Sequence, residues 1–309
     1  MKKQIHSGSL KQELSEREKR HSALARRAAA EGIVLLKNEG MLPLKTSDPI
    51  ALFGSGAGKT VKGGIGSGDV NNRNSISVYR GIKESGAVVT NEDWIQDYDK
   101  RYKEAREEWK EKILEDVRHV QNPFDAYAAN PFSLPDGRRI QETDLKGAAA
   151  AVYVISRISG EGKDRRIEKG DYYLSSRERE DILYLDRFHI PLILILNSGG
   201  PVELTDILQE TENIRAVLNI SQPGQEGGHA VADILFGRAV PEGKLTTTWA
   251  RRYEDYPFAD TYSYLNGNLE KEEYREGIYV GYRYFDSFGV KPLFSFGYGL
   301  SYTSFGLAF

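Results

Sequence analysis

Cysteine is absent from the 309 residues, which excludes disulfides, thiolate metal sites and thiol catalysis. Histidine is scarce. The five residues His6, His21, His119, His189 and His229 stand at no metal-ligand spacing such as His-x-x-x-His, so no metal and no other cofactor is expected. Charge of one sign is missing as well. Lys and Arg number 42 against 45 Asp and Glu, a formal net charge of −3, which gives no electrostatic reason to expect nucleic acid. No apolar run approaches the length needed to cross a bilayer. The basic start, Met-Lys-Lys-Gln-Ile-His, is not followed by an apolar signal core. A membrane is therefore not an expected partner, and a cytoplasmic location is expected.

What is present describes a globular chain, 39% hydrophobic and 28% charged, with a length that suits one large domain or two ordinary ones. The first forty residues predict a helix. Ser15-x-x-Glu18 has the form of a capping box, Leu24, Ala28 and Leu35 recur at helical intervals, and Gly40 and Pro43 end it. Ile50–Phe53 predicts a short strand, Ile76–Glu84 a helix and Ala87–Val89 another short strand. Tyr102, Ala105, Trp109 and Ile113 form one apolar stripe through the charged residues 97–118, as in an amphipathic helix. Residues 120–142 carry Pro123, Pro131 and Pro135 with few periodic apolar positions, and predict an irregular excursion.

Beyond that point the pattern is regular. Strands are predicted at Ala149–Ile155, Pro191–Leu196 and Ile214–Ile220, and helices at Ser176–Phe188, Pro201–Leu208 and Glu226–Gly237. Apolar runs without alternation, separated by helices, point to a parallel sheet covered on both faces, with five or six strands. Lys244–Trp249 is a candidate edge strand. Residues 250–273 are polar, and the stretches Tyr274–Asp286 and Phe294–Thr303 are rich in aromatics and glycine. So aromatic a tail must pack on its own domain or on another one.

Three loops could carry chemistry. Gly54–Thr60 has the glycines of a nucleotide loop but fails both fingerprints. A Walker A loop needs glycine where Phe53 stands, and a dinucleotide loop needs glycine or alanine where Lys59 stands. Lys62–Val70 is a second glycine-rich loop, which either lets the backbone approach a ligand closely or is a plain surface connection. The third is residues 156–174, between a predicted strand and the helix start Ser175–Ser176–Arg177–Glu178. It holds a carboxylate between two glycines, Gly160–Glu161–Gly162, followed by Asp164, Arg165 and Arg166. Function in an open α/β sheet gathers outside the carboxyl ends of the strands. The plain reading of the same loop is a solvated surface pair.

Taken together, these segments resemble the α/β sandwich domain of glycoside hydrolase family 3, the β-glucosidase and β-xylosidase family. Seven pieces come in the family's order: Glu31–Asn38, Lys62–Gly64 with Ser67–Gly68, Ser159–Gly162 with Asp164–Arg165, Pro223–Gly228, Pro241–Leu245, Glu276–Asp286 and Phe296–Thr303. The resemblance spans nearly the whole chain. It implies an α/β fold, a three-layer sandwich with a mostly parallel sheet, occupying residues 1–309 as one domain. Residues 1–45 would be a helical lead-in, 49–250 the sheet with its covering helices, and 251–309 an extended aromatic tail leading toward a following domain.

The resemblance also implies a retaining exo-acting β-glycosidase of the β-glucosidase type, hydrolysing the terminal non-reducing β-D-glucosyl residue of a β-glucoside or related oligosaccharide. Glu161, in the loop matching Ser-Gly-Glu-Gly, would be its general acid/base. Ser67, flanked by Gly66 and Gly68, would reach the sugar hydroxyls. Asp164 and Arg165 would brace the acid's loop through charge-assisted hydrogen bonds. The family's nucleophile is an aspartate on a (β/α)8 barrel, which takes about 250 residues and has no counterpart in this chain. Asp48 and Asp93 lack the family's context for that role. Met1 opens directly onto the lead helix, as in members whose sandwich comes first. The chain is therefore expected to be the front part of a longer enzyme, or to be completed by a barrel on a partner chain. The alternatives are a non-catalytic sugar-binding or assembly module of the same fold, and a nucleotide-binding α/β protein.

Overall fold

The computed structural model describes residues 12–65, 70–159, 165–262, 270–271, 273–303 and 306. Helix α1 (Glu16–Gly32) begins at Ser15, whose side chain accepts from the Glu18 N–H while the Glu18 carboxylate accepts from the Ser15 N–H at 2.8 Å. This is the predicted capping box. The helix stops at Gly32, well short of Gly40. Val34, Leu35 and Leu36 are consecutive and all buried, which a helix with one solvated face cannot provide. They enter the sheet instead, as strand β1 (Val34–Asn38).

The other strands are β2 (Ile50–Phe53), β3 (Ala150–Ser156), β4 (Leu192–Asn197) and β5 (Ile214–Asn219), in the order β1-β5-β4-β3-β2. β2 to β5 are parallel and β1 is antiparallel to β5. Every residue of β3 and β4 is buried, which is why each reads as an unbroken apolar run. The two further candidate strands form no ladder. Val89 makes one parallel bridge to Ile50, and Trp249 one antiparallel bridge to Phe294. The outer edge of β2 is closed by a side chain: Asn91 Oδ1 accepts from the Leu52 N–H (2.8 Å) and its Nδ2 donates to the Leu52 carbonyl (2.9 Å). The amide stands in for a neighbouring strand and ends pairing there.

Helices cover both faces. Phe53 and Tyr153 are register partners and so share a face. Phe53 packs edge-on to Trp94 of α4 (Glu92–Asp116), with centroids 5.5 Å apart. The Tyr153 hydroxyl donates to Asp181 of α6 (Ser176–Asp186). On the opposite face α2 (Ser55–Gly58) packs on β3 and α3 (Val78–Glu84), α3 on α8 (Gly227–Leu235), and α8 on α1. The α3–α8 contact is so close that a Cβ at Gly228 would collide with the Ser77 carbonyl. The result is the expected three-layer sandwich. The stretch expected to be irregular contains α5 (Pro123–Ala129), and the next helix after β4 is α7 (Thr205–Glu210), starting later than Pro201.

The tail divides in two. Its end packs on this chain: the Leu300 N–H donates to the Leu35 carbonyl at 2.8 Å, and the Tyr302 hydroxyl to the Ile234 carbonyl at 2.8 Å. Its earlier part includes α9 (Tyr282–Phe288) and leaves Tyr274 90%, Ile278 68% and Phe288 58% exposed. Among the described residues, no helix is long and apolar enough to cross a membrane.

Candidate active site

The C-terminal ends of the four parallel strands open onto one edge of the sheet, and Asn197 ties their connections together. It is the last residue of β4 and fully buried. Its Oδ1 accepts from the Val61 N–H and the Ser156 hydroxyl, both at 2.7 Å, and its Nδ2 donates to the carbonyls of Val61 (2.9 Å) and Ser221 (2.7 Å). Both amide protons and both acceptor sites of the oxygen are used, so the side chain has one orientation. Ser221 sits at a φ of 50°, uncommon for a residue with a Cβ. Asn219 Oδ1 accepts from its N–H at 3.3 Å, so bonds on both sides hold it there. Such strained positions cluster at functional sites.

These contacts bring two candidate loops to one place. The Ile65 N–H donates to the Ser159 carbonyl at 3.0 Å, and the Gly224 N–H to the Lys62 carbonyl at 2.8 Å. Gln222 Nε2 donates to Ser159 Oγ at 2.8 Å. Ile65 immediately precedes Gly66, and Ser159 immediately precedes Gly160. Gly66, Ser67, Gly68, Glu161 and Asp164 themselves lie outside the described residues. The described residues just before them, Ile65 and Ser159, are the ones joined by the hydrogen bond above.

Arg165 is described. Its Nε donates to Asp171 Oδ1 (2.7 Å), its Nη2 to the Asp171 carbonyl (2.6 Å) and its Nη1 to the Pro201 carbonyl. Asp171 Oδ2 accepts in turn from the Arg166 N–H at 2.6 Å. A carboxylate whose two oxygens take a guanidinium and a backbone N–H is a charge-assisted anchor.

Residues 33–282 match the glycosyl hydrolase family 3 C-terminal domain. The chain belongs to glycosyl hydrolase family 3. It is 35% identical over 316 residues to β-glucosidase A of Butyrivibrio fibrisolvens, an alignment covering 93% of this chain and 35% of that one. The structure of β-glucosidase 3B from Thermotoga neapolitana in complex with glucose is similar at 40% identity and a TM-score of 0.75, covering 93% of this chain and 39% of the other. A β-glucosidase from Paenibacillus barengoltzii matches at 32% identity and a TM-score of 0.78, over 96% of this chain and 31% of the other. The family 3 chain thus spans about a third of the length of these relatives.

Behind Arg165, the family 3 chain places a second arginine with every donor satisfied. Arg157, 5% exposed, donates from Nη1 to Glu178 Oε1 (2.6 Å) and the Ser156 carbonyl (2.9 Å). Its Nη2 donates to Glu178 Oε2 (2.7 Å) and the Tyr173 carbonyl (3.2 Å), and its Nε to the Asp171 carbonyl (2.7 Å). Glu178 closes the capping box of α6 with Ser175. Next to this platform, Glu203 accepts from the Tyr253 N–H at 3.1 Å, and burial pushes its carboxyl above the usual range.

The glycine-rich loop 54–60 is absorbed by packing. A Cβ at Gly56 would collide with the Ser156 side chain and one at Gly54 with the Val154 backbone, and Lys59 pairs with Asp99. Those glycines let the loop lie on β3. Sequence reasoning missed Asn197, Asp171 and Gln222. For Asn197 a signal existed, a polar amide closing the apolar run Leu192–Leu196 just before Ser-Gly-Gly. For the other two, no spacing marks the partner.

Proposed function

We propose that this chain supplies the acid/base of a retaining exo-acting β-glycosidase of the β-glucosidase type, acting on terminal non-reducing β-D-glucosyl residues. In this reading residues 1–309 form one α/β sandwich unit, Glu161 is the general acid/base and Ser67 contacts the sugar hydroxyls. Asp164 and Arg165 brace the acid's loop. The nucleophile is an aspartate on a (β/α)8 barrel, in the same longer chain or a partner chain. The observation that supports the reading is the hydrogen bond from the Ile65 N–H to the Ser159 carbonyl, which joins the residues just before Gly66 and Gly160 at the carboxyl edge of a parallel sheet, where function gathers in such folds.

The chemistry requires two carboxyls about 5–5.5 Å apart, one attacking the anomeric carbon while the other protonates the leaving oxygen. The proton donor has to stay protonated near neutrality, and the negative charge of a nearby nucleophile favours that. The same group then acts as the base that activates water in the second step.

The test uses the longer enzyme that carries this chain. Glu161→Ala should slow aryl β-glucosides with poor leaving groups by about 10²-fold or more and activated ones far less, with azide restoring part of the rate. Equal loss on both substrate classes would refute the acid/base role. The isolated chain should show no useful hydrolysis of either substrate.

A further inference from the structure

We propose that the cavity between α9 and the Trp249–Phe294 bridge is a binding site for an uncharged pyranose ring. Backbone bonds on two sides build it. The Trp249 N–H donates to the Phe294 carbonyl at 2.8 Å, and the Trp249 carbonyl accepts from the N–H groups of Leu293 (2.8 Å) and Phe294 (3.2 Å). This brings Thr248, Ser295 and Phe296 around one space. Gly289, at a φ of 67°, ends α9, and the Val290 N–H donates to the Phe285 carbonyl at 3.0 Å. Glycine takes that left-handed turn at no steric cost, and Tyr282, Phe285 and Asp286 of α9 line the same space.

The cavity holds about 190 Å³, below the roughly 300 Å³ at which pockets for drug-sized molecules begin, and so suits one ring. Its apolar lining is aromatic. The buried Phe285 is fixed by edge-on contact with Tyr256, centroids 5.9 Å apart, and the exposed rings of Tyr282 and Phe296 pair at 5.1 Å with a tilt of 32°. Its polar lining is uncommitted. The Thr248 hydroxyl is buried without a hydrogen-bond partner, and among the described residues the Asp286 carboxylate and the Ser295 hydroxyl have none either. A buried group of this kind calls for an explanation. A ligand that answers the set must offer several hydroxyl groups, to donate to the carboxylate and to exchange hydrogen bonds with the two hydroxyls. It must also offer an apolar ring face to lie on the aromatics. A pyranose has both. An organic ammonium would satisfy the carboxylate and the rings but leave both hydroxyls unanswered, so the sugar is the better fit.

Titration of the 309-residue chain with D-glucose, followed by NMR, tests the proposal. Amide shifts at residues 248, 282–286 and 295–296 should saturate with a dissociation constant of about a millimolar, the range open to a ligand of about a dozen non-hydrogen atoms. Asp286→Asn and Tyr282→Ala, both at exposed positions, should each weaken binding about tenfold. Tyr274→Ala, exposed and outside the cavity, should leave binding unchanged. No saturable shift, or shifts confined to the surroundings of Ile65 and Ser159, overturns the proposal. Equal loss in all three variants, or no loss in Asp286→Asn, overturns the assignment to this cavity and its chemistry. Tighter binding of choline than of glucose gives the cavity to an ammonium instead. In the longer enzyme that carries this chain, a fluorotyrosine label at Tyr282 should report the same titration. Silence there means that another domain covers the cavity, and overturns the site as well. None of these outcomes depends on the role of Glu161.

Discussion

Arg157, which pairs with Glu178 in the first turn of α6, and Arg177, which belongs to that turn, show two ways of burying a guanidinium. Arg157 uses all five of its donors, two of them in a bidentate pair with Glu178. Arg177, with a side chain 20% exposed, has its buried Nε and Nη1 without a hydrogen-bond partner among the described residues. Its Nη1 lies 3.6 Å from Glu180 and 3.9 Å from Asp181. The buried Tyr98 hydroxyl is likewise unpartnered. Among the described residues Asp181, 4% exposed, accepts only from the Tyr153 hydroxyl at 3.1 Å, and burial pushes it up to about 7. A cavity of about 300 Å³, lined by Arg139, Arg177, Asp181 and Tyr184 among others, opens beside it. One network is closed and joins the residue after β3 to the start of α6. The other is open, and its carboxylate titrates near neutrality. A satisfied buried network holds geometry, and a partly satisfied one costs stability that depends on pH.

Removing the closed network's centre should have the largest effect. Arg157→Met leaves Glu178 buried without its cation, and a loss of about 3–5 kcal/mol is expected in urea denaturation; a loss below about 1 kcal/mol would show that the pair is not the keystone the geometry suggests. The open network should respond in the opposite sense. The folded chain binds the Asp181 proton more tightly than the unfolded chain does, because the folded value of about 7 lies above the 3.8 of a free aspartate. Its contribution is thus fully present below about pH 4 and lost as pH rises through 7. Asp181→Asn keeps an acceptor for Tyr153 and does not ionise. The variant should therefore gain on the parent between about pH 4 and 7, reaching about 4 kcal/mol at pH 8. Thermal melts at pH 5 and pH 8 measure this, and a pH-independent difference would contradict it. Arg177→Met should have the smallest effect, within about 1 kcal/mol, because little hydrogen bonding is lost. It should also move the Asp181 midpoint upward, since the Arg177 charge favours the ionised form; an NMR titration would reveal a shift of the wrong sign.

Much of this architecture is readable from local pattern. The capping boxes at Ser15 and Ser175 need only four consecutive residues, and both form. The apolar runs that became β3 and β4 are buried on both faces, so their sequences carry no polar alternation to confuse them with a surface helix. The failures occur where a distant partner decides. Leu35 continues a helical pattern on paper, yet Val34–Asn38 pairs with β5, far along the chain. Ala87–Val89 has strand composition, but Asn91 occupies the backbone groups of Leu52 that a longer strand would have needed. Lys244–Trp249 bonds to the tail at Phe294 and Tyr298 without becoming a strand of the sheet.

The candidate site divides along the same line. The sequence alone points to Glu161 between its glycines, to Ser67 in a second glycine loop, and to the family, because these are short motifs whose order survives without coordinates. It cannot report that Ile65 bonds to Ser159, that Asn197 joins three connections, that Gln222 donates to Ser159 or that Asp171 pairs with Arg165. A motif is a property of neighbours along the chain. A hydrogen bond from a residue after β5 to one after β3 exists only once parallel pairing has brought their C-terminal ends to a common edge, and that is decided by the tertiary structure.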